Sequence, residues 1–186
     1  MVEGLAERLL KQPPTTAVDL VMTKEGLKTG SEIISKQRDE ELENVASFMG
    51  LVFEWRGDRY LFARSKEDFV KQGSDSVSRG RWFGIPDCCI QNYQGKDKEE
   101  LRKRLSLEEL KLFEKGEGVP DEFYLGSMGY IPCNIQCRAT LERGINARAA
   151  LDRIDPSLWT RFRNFHIRRR LSEYGGEIKW WKKGQI

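Results

Sequence analysis

Two cysteine pairs, each introduced by Ile-Pro, constrain this chain more than any other feature: "GIPDCC" at residues 84–89 and "IPCNIQC" at residues 131–137. The chain has no other cysteine. Proline is pre-shaped for the first turn of a helix, where its missing N–H costs nothing. Both dipeptides therefore predict a helix start, with Cys88, Cys89 and Cys133 in first turns. There the free backbone N–H groups and the positive end of the helix dipole favour thiolate, the form that binds metals and attacks electrophiles.

Geometry limits how oxidation pairs these thiols. Adjacent Cys88 and Cys89 have Cα atoms about 3.8 Å apart, below the usual disulfide range of about 4.4 to 6.8 Å. Cys133 and Cys137, read as one helical turn apart, point the same way, so disulfides are expected only across the two segments. The same spacing suits metal ligation, because parallel side chains converge on an ion held off the surface. Cys88, Cys89, Cys133 and Cys137 make a complete four-thiolate set, compatible with zinc or an iron-sulfur cluster. Two alternatives stand beside it: cross-segment disulfides, and inert buried thiols, since free cysteine is among the most buried residue types. Arg79, Arg81 and Arg138 are the expected neighbours that offset a thiolate shell of charge about −2 around a dication.

The chain around these pairs reads as α+β, with a small antiparallel hairpin or sheet in the N-terminal part and a mainly helical C-terminal part. Residues 1–75 form the first part and residues 80–186 the cysteine-bearing part, expected to make one compact unit at this length of 186 residues. "VEGLAERLLK" predicts a helix stopped by Pro13-Pro14, and "TAVDLVM", rich in β-branched residues, a strand. "KQRDEELENVASFMG" has helical spacing and a glycine stop, while "LVFEW" and "YLFAR" around "RGDR" predict a hairpin over 51–64. Ser65 caps a short helix, and "GSDSVSRG" reads as a flexible loop. Further on, "DKEELRKRL", a capping box from Ser106 to Glu109, and "NIQCRATLERGINARAALDRI" predict successive helices. A last helix opens at Asp155-Pro156 and runs to about Glu173.

Charge is distributed unevenly. The formal net charge is +3, yet between Arg161 and Ile186 eight basic residues face only Glu173 and Glu177, so the rest of the chain is net negative. Arg161, Arg163, Arg168, Arg169, Arg170, Lys182 and Lys183, interleaved with aromatics, are candidate contacts to RNA or another nucleic acid. An ordinary basic surface or an oligomer contact is the plainer alternative. The lone His166 reads as a partly packed imidazole rather than a fifth ligand. No long apolar run or signal peptide is present, which points to a cytoplasmic protein without membrane partners. The 33% of charged residues hints at a thermophilic source.

"FGIPDCC" followed by "IPCNIQC" resembles an archaeal family catalogued as a domain of unknown function, number 483. The resemblance implies a cytosolic archaeal protein whose cysteines form the family signature, with no established activity. The functional expectation is a protein that binds a metal or iron-sulfur cluster through its four cysteines and acts on RNA. The alternative is a non-catalytic nucleic-acid or protein interaction module braced by cross-segment disulfides.

Overall fold

A computed structural model describes residues 4–173, without the side chains of residues 113 and 167–173. The architecture is α+β: ten helices among the described residues and one three-stranded antiparallel sheet. In chain order the elements are α1 Leu5–Lys11, α2 Pro14–Lys24, β1 Gly30–Ile34, α3 Glu40–Phe48, β2 Val52–Trp55, β3 Arg59–Ala63, α4 Lys66–Val70, α5 Ser76–Trp82, α6 Asp87–Tyr93, α7 Lys98–Glu114, α8 Asp121–Gly126, α9 Arg138–Ile154 and α10 Pro156–Glu173.

The expected hairpin is β2 and β3, paired from Val52↔Ala63 to Trp55↔Tyr60 across a turn with Gly57 at positive φ. A third strand, β1, completes the sheet in the order β1-β3-β2, with Gly30 opposite Ala63 and Ile34 opposite Arg59. Tyr60 and Phe62 of the central strand stack within the sheet's aromatic face, their ring centroids 5.5 Å apart.

Two expectations are overturned here. "TAVDLVM" is the helix α2, not a strand. Pro14 starts it, and Thr16, Ala17, Val18, Leu20, Val21, Met22 and Thr23 are all buried. Burial on every side overrides the weak strand preference of its β-branched residues. "GSDSVSRG" is not a loop throughout: Asp75 caps α5 by accepting from the N–H groups of Val77 and Ser78, each at 2.9 Å.

The larger core gathers around α2. Leu9, Val18, Leu20, Val21 and Met22 pack with Leu42, Val45, Tyr60 and Phe62 from the N-terminal half and with Ala147, Leu151, Leu158 and Phe162 from α9 and α10. One apolar cluster thus joins the two halves. A smaller cluster holds Cys89, Phe123, Tyr124, Ile135 and Cys137, flanked by Ile85, Leu105, Tyr130 and Cys133.

The helices α8 and α9 meet backbone against backbone. A Cβ on Gly126 would lie 1.9 Å from the Thr140 carbonyl oxygen, and one on Gly144 would lie 1.7 Å from that of Glu122. Only glycine at both positions lets the helices approach this closely. The contact sets α8 against the N-terminal half of α9, the part that follows the second cysteine pair.

Candidate metal centre

Each cysteine pair is positioned by a backbone device that its sequence specifies. Helix α5 ends in a Schellman motif, with Gly84 N–H donating to Arg81 O and Ile85 N–H to Gly80 O, both at 2.9 Å. Gly84 sits at φ +68°, and a Cβ there would lie 2.3 Å from Leu27 O, so this glycine is required twice over. Pro86 then serves as N-cap rather than first helical residue of α6, which places Cys88 and Cys89 in the first turn as expected.

The second pair departs from expectation. Residues 133–137 form a tight turn, and α9 starts only at Arg138 with Cys137 at its N-cap. Cys133 therefore lies outside any helix. The Asn134 side-chain oxygen accepts from Gln136 N–H at 2.9 Å, an Asx turn that competes with helix for the backbone. Helix α7, one continuous element where two were expected, holds this turn from outside. Arg104 donates to Cys133 O at 2.8 Å and Glu108 accepts from Ile135 N–H at 3.0 Å.

The four sulfurs converge. All four Sγ atoms lie within 4.8 Å of one another. Cys89 and Cys137 are 3.7 Å apart, Cys88 and Cys137 3.8 Å, and Cys88 and Cys89 3.9 Å. A tetrahedral ion with metal-sulfur bonds of about 2.3 Å requires sulfur-sulfur edges of about 3.8 Å. The four are free thiols in this structure. Their donor set fits a soft, thiolate-binding metal.

A hydrogen-bonding shell accompanies them. Cys89 Sγ accepts from Cys133 N–H at 3.3 Å and lies 3.7 Å from the Thr140 hydroxyl, which is 3.0 Å from the Tyr130 hydroxyl. An anionic sulfur only accepts, so with Cys89 ionised Thr140 donates to sulfur and Tyr130 donates to Thr140. Cys133 Sγ accepts from the Asn134 amide at 3.4 Å. Beneath Tyr130 lies Arg143, its guanidinium 5.4 Å from the ring centroid, donating to Gly126 O and to Phe83 O. Arg143 is 8% exposed, a buried cation behind the Tyr130 ring.

The thiols differ in acidity. Burial pushes Cys89 up, and pushes Cys133 up to about 11. Burial opposes ionisation of Cys137 too, but the Thr140 hydroxyl and N–H, with the neighbouring Cys133 and Cys89 thiols, outweigh it and bring Cys137 down to about 7. Cys137 is thus the first of the three to offer a thiolate as pH rises.

The other expected site residues are not drawn to the sulfurs. Arg81 pairs with Asp87 at 2.8 Å, Arg138 with Glu142 at 2.7 Å, and Arg79 faces Glu32 at 3.8 Å. The nearby cations are instead Arg143 and Arg104. Arg161 donates to the carbonyls of Leu10 and Gln12, tying α10 to the end of α1, and Arg163 pairs with Asp121 at 2.5 Å. The side chains of Arg168, Arg169 and Arg170, and Lys182 and Lys183 altogether, lie outside the described residues. His166 stacks on Tyr124 and Phe162, with centroids 4.9 Å and 6.0 Å away.

Residues 62–160 match the model of a family described as a protein of unknown function (DUF483), a span longer than half the chain that includes all four cysteines. The chain belongs to this family. In this DUF483 protein the matched span begins in β3 and ends in α10, so it takes in the whole smaller core and the helix α9 that links it to the larger one. No curated protein and no solved structure matches the chain. Among the described residues no helix is long and apolar enough to cross a membrane.

Proposed function

We propose that this DUF483 protein binds one metal ion tetrahedrally through Cys88, Cys89, Cys133 and Cys137, and that the ion is zinc or a single iron rather than a cluster. The sulfur-sulfur separations carry this: the three among Cys88, Cys89 and Cys137 are 3.7 to 3.9 Å, close to the edge of a tetrahedron around one ion, and all four sulfurs lie within 4.8 Å of one another. An iron-sulfur cube attaches each thiolate to a different iron and holds the sulfurs farther apart. The ion supplies a fixed dication that joins α6 to the turn preceding α9, two segments with few other polar ties.

The test is elemental analysis with an absorbance spectrum on protein purified without oxygen. One zinc per chain and no visible colour, or one iron with thiolate-to-metal absorption and no labile sulfide, supports the single-ion centre. Stoichiometric labile sulfide replaces it by a cluster, and no metal at all removes it.

Nucleic acid is the partner that the basic C-terminal segment favours. With Arg161 bonded to the Leu10 and Gln12 carbonyls and Arg163 paired with Asp121, that function falls to Arg168, Arg169, Arg170, Lys182 and Lys183. Binding through them makes the logarithm of the affinity for a short single-stranded RNA fall linearly with the logarithm of salt, with a slope of about −0.7 per phosphate neutralised. A flat salt response removes this partner.

A further inference from the structure

The four sulfurs of the proposed centre are not equivalent. Cys89 and Cys137 are buried, at 1% and 5% exposure, and the Cys89 sulfur accepts from Cys133 N–H with the Thr140 hydroxyl 3.7 Å away. Cys133 is half-buried, and its sulfur accepts from the Asn134 amide. Cys88 is exposed, and among the described residues no nitrogen or oxygen donor reaches its sulfur; its only contacts of this kind are to the Cys89 and Cys137 sulfurs. A hydrogen bond to a metal-held thiolate withdraws the lone-pair density with which that sulfur attacks, so outer partners tune ligand reactivity. Cys88 thus combines solvent access with lone pairs that no nitrogen or oxygen donor shares.

We infer that Cys88 is the reactive ligand of this centre, a metal-held thiolate that accepts an alkyl group from a soft carbon electrophile while the other three sulfurs keep the ion. This rests on the metal-binding function proposed above. In the step, a Cys88 lone pair forms the sulfur-carbon bond as the carbon-leaving-group bond breaks, and the leaving group departs with that electron pair. The thiolate becomes a neutral thioether, so the charge of a dication with four thiolates falls from about −2 to about −1. No oxidant and no proton transfer is required. The electrophile reaches the sulfur from solvent, to which Cys88 is exposed.

The experiment treats ion-loaded protein with limiting methyl iodide, locates the added methyl group by peptide mass spectrometry and measures bound metal in the same samples. Cys88 is expected to react at least about tenfold faster than Cys133, matching the size of outer-partner effects on metal sites. Its rate should stay level with pH for as long as the ion is retained, because a metal-held thiolate needs no deprotonation. Asn134→Asp, which keeps the oxygen that accepts from Gln136 N–H but loses the donor to the Cys133 sulfur, is expected to raise the Cys133 rate toward that of Cys88, a response that exposure alone does not produce.

Equal rates at Cys88 and Cys133, or alkylation of Cys88 only after the ion has left, each overturn the inference. Samples that carry no ion show that the metal centre itself has failed, and the inference with it. One ion per chain without a Cys88 preference shows that only the inference has failed.

Discussion

The two cores of this protein are built on different principles. Around α2 the larger core closes mainly on apolar side chains: Leu20, Val21, Met22, Phe62 and Leu151 are fully buried, and the long helices α9 and α10 pack with α2 over them. The smaller core has short helices, α6 of seven residues and α8 of six, which are far below the length at which a helix stands alone in water. Its centre holds two cysteines and a tyrosine, and its second cysteine segment is a turn. A region with little apolar area needs a crosslink, and a metal is one that forms only when the ligands are already assembled, so that binding energy becomes folding energy. If the proposed ion is bound, the larger core stands by burial and the smaller by ligation.

Removing the ion is the strongest way to break that contrast. Structural four-ligand sites contribute on the order of 10 kcal/mol in small metal-dependent domains. A chelator, or Cys89→Ser, is expected to abolish hydrogen-exchange protection in α6 and residues 130–137 while α2 and the sheet keep theirs. Unchanged protection of α6 after metal removal would mean that the small core stands unaided.

Gly144→Ala comes next. The added Cβ would meet the Glu122 carbonyl 1.7 Å away, backbone that cannot swing aside as a side chain does. A loss of about 3 kcal/mol is expected, the upper part of the overpacking range, read by chemical denaturation. Because α9 belongs to both cores, both should weaken together. A loss confined to the small core would show that α9 is not the rigid link between them.

How much of this was legible beforehand differs between the two regions. The hairpin was readable because "RGDR" places a glycine where the turn needs positive φ and the flanking residues are apolar. The strand β1 was not, since its "GSEII" lacks alternation and pairs with β3 only through tertiary contact. Helix α2 was misread because local preference carries no information about burial on all sides. At the candidate metal centre the four cysteines were legible as a set, from residue type and the repeated Ile-Pro. Their surroundings were not: Thr140 and Arg143 sit among ordinary residues of α9, and Arg104 and Glu108 come from α7, whose register against the turn no spacing rule gives. The one available signal was periodicity, as Thr140 and Arg143 follow Cys137 at steps of three along one helix.

Arg143→Met sharpens the comparison without breaking the fold's apolar packing. Methionine keeps much of the length and volume but loses the cation and its hydrogen bonds to Phe83 O and Gly126 O. If the buried charge offsets the thiolate shell, zinc affinity should fall about tenfold, the lower end of outer-partner effects, measured by competition with a chromophoric chelator. Affinity equal to wild type would make Arg143 a brace between α9 and its neighbours and nothing more.

The smallest effect belongs to the larger core and depends on pH. Lys28 is 5% exposed and pairs with the Asp19 carboxylate beside the Thr23–Ser31 hydroxyl pair. Burial lowers its pKa below the ordinary 10.5, more than Asp19 raises it, and Arg143 lowers it further. Between the lowered folded value and 10.5, the unfolded chain therefore binds more protons at this residue than the folded one. Stability rises with pH wherever the unfolded state holds more protons, so Lys28 should make the protein more stable as pH climbs through that window. Other groups oppose this: burial raises Tyr60, whose contribution is lost above pH 10. The comparison that isolates Lys28 is the Tm of wild type minus that of Lys28→Met across pH 7 to 10.5. A difference that grows more positive with pH supports a lysine held in the core against its charge. A level difference means that the Asp19 pair fully compensates burial, and the larger core would then contain an ion pair that is neutral to its stability in this range.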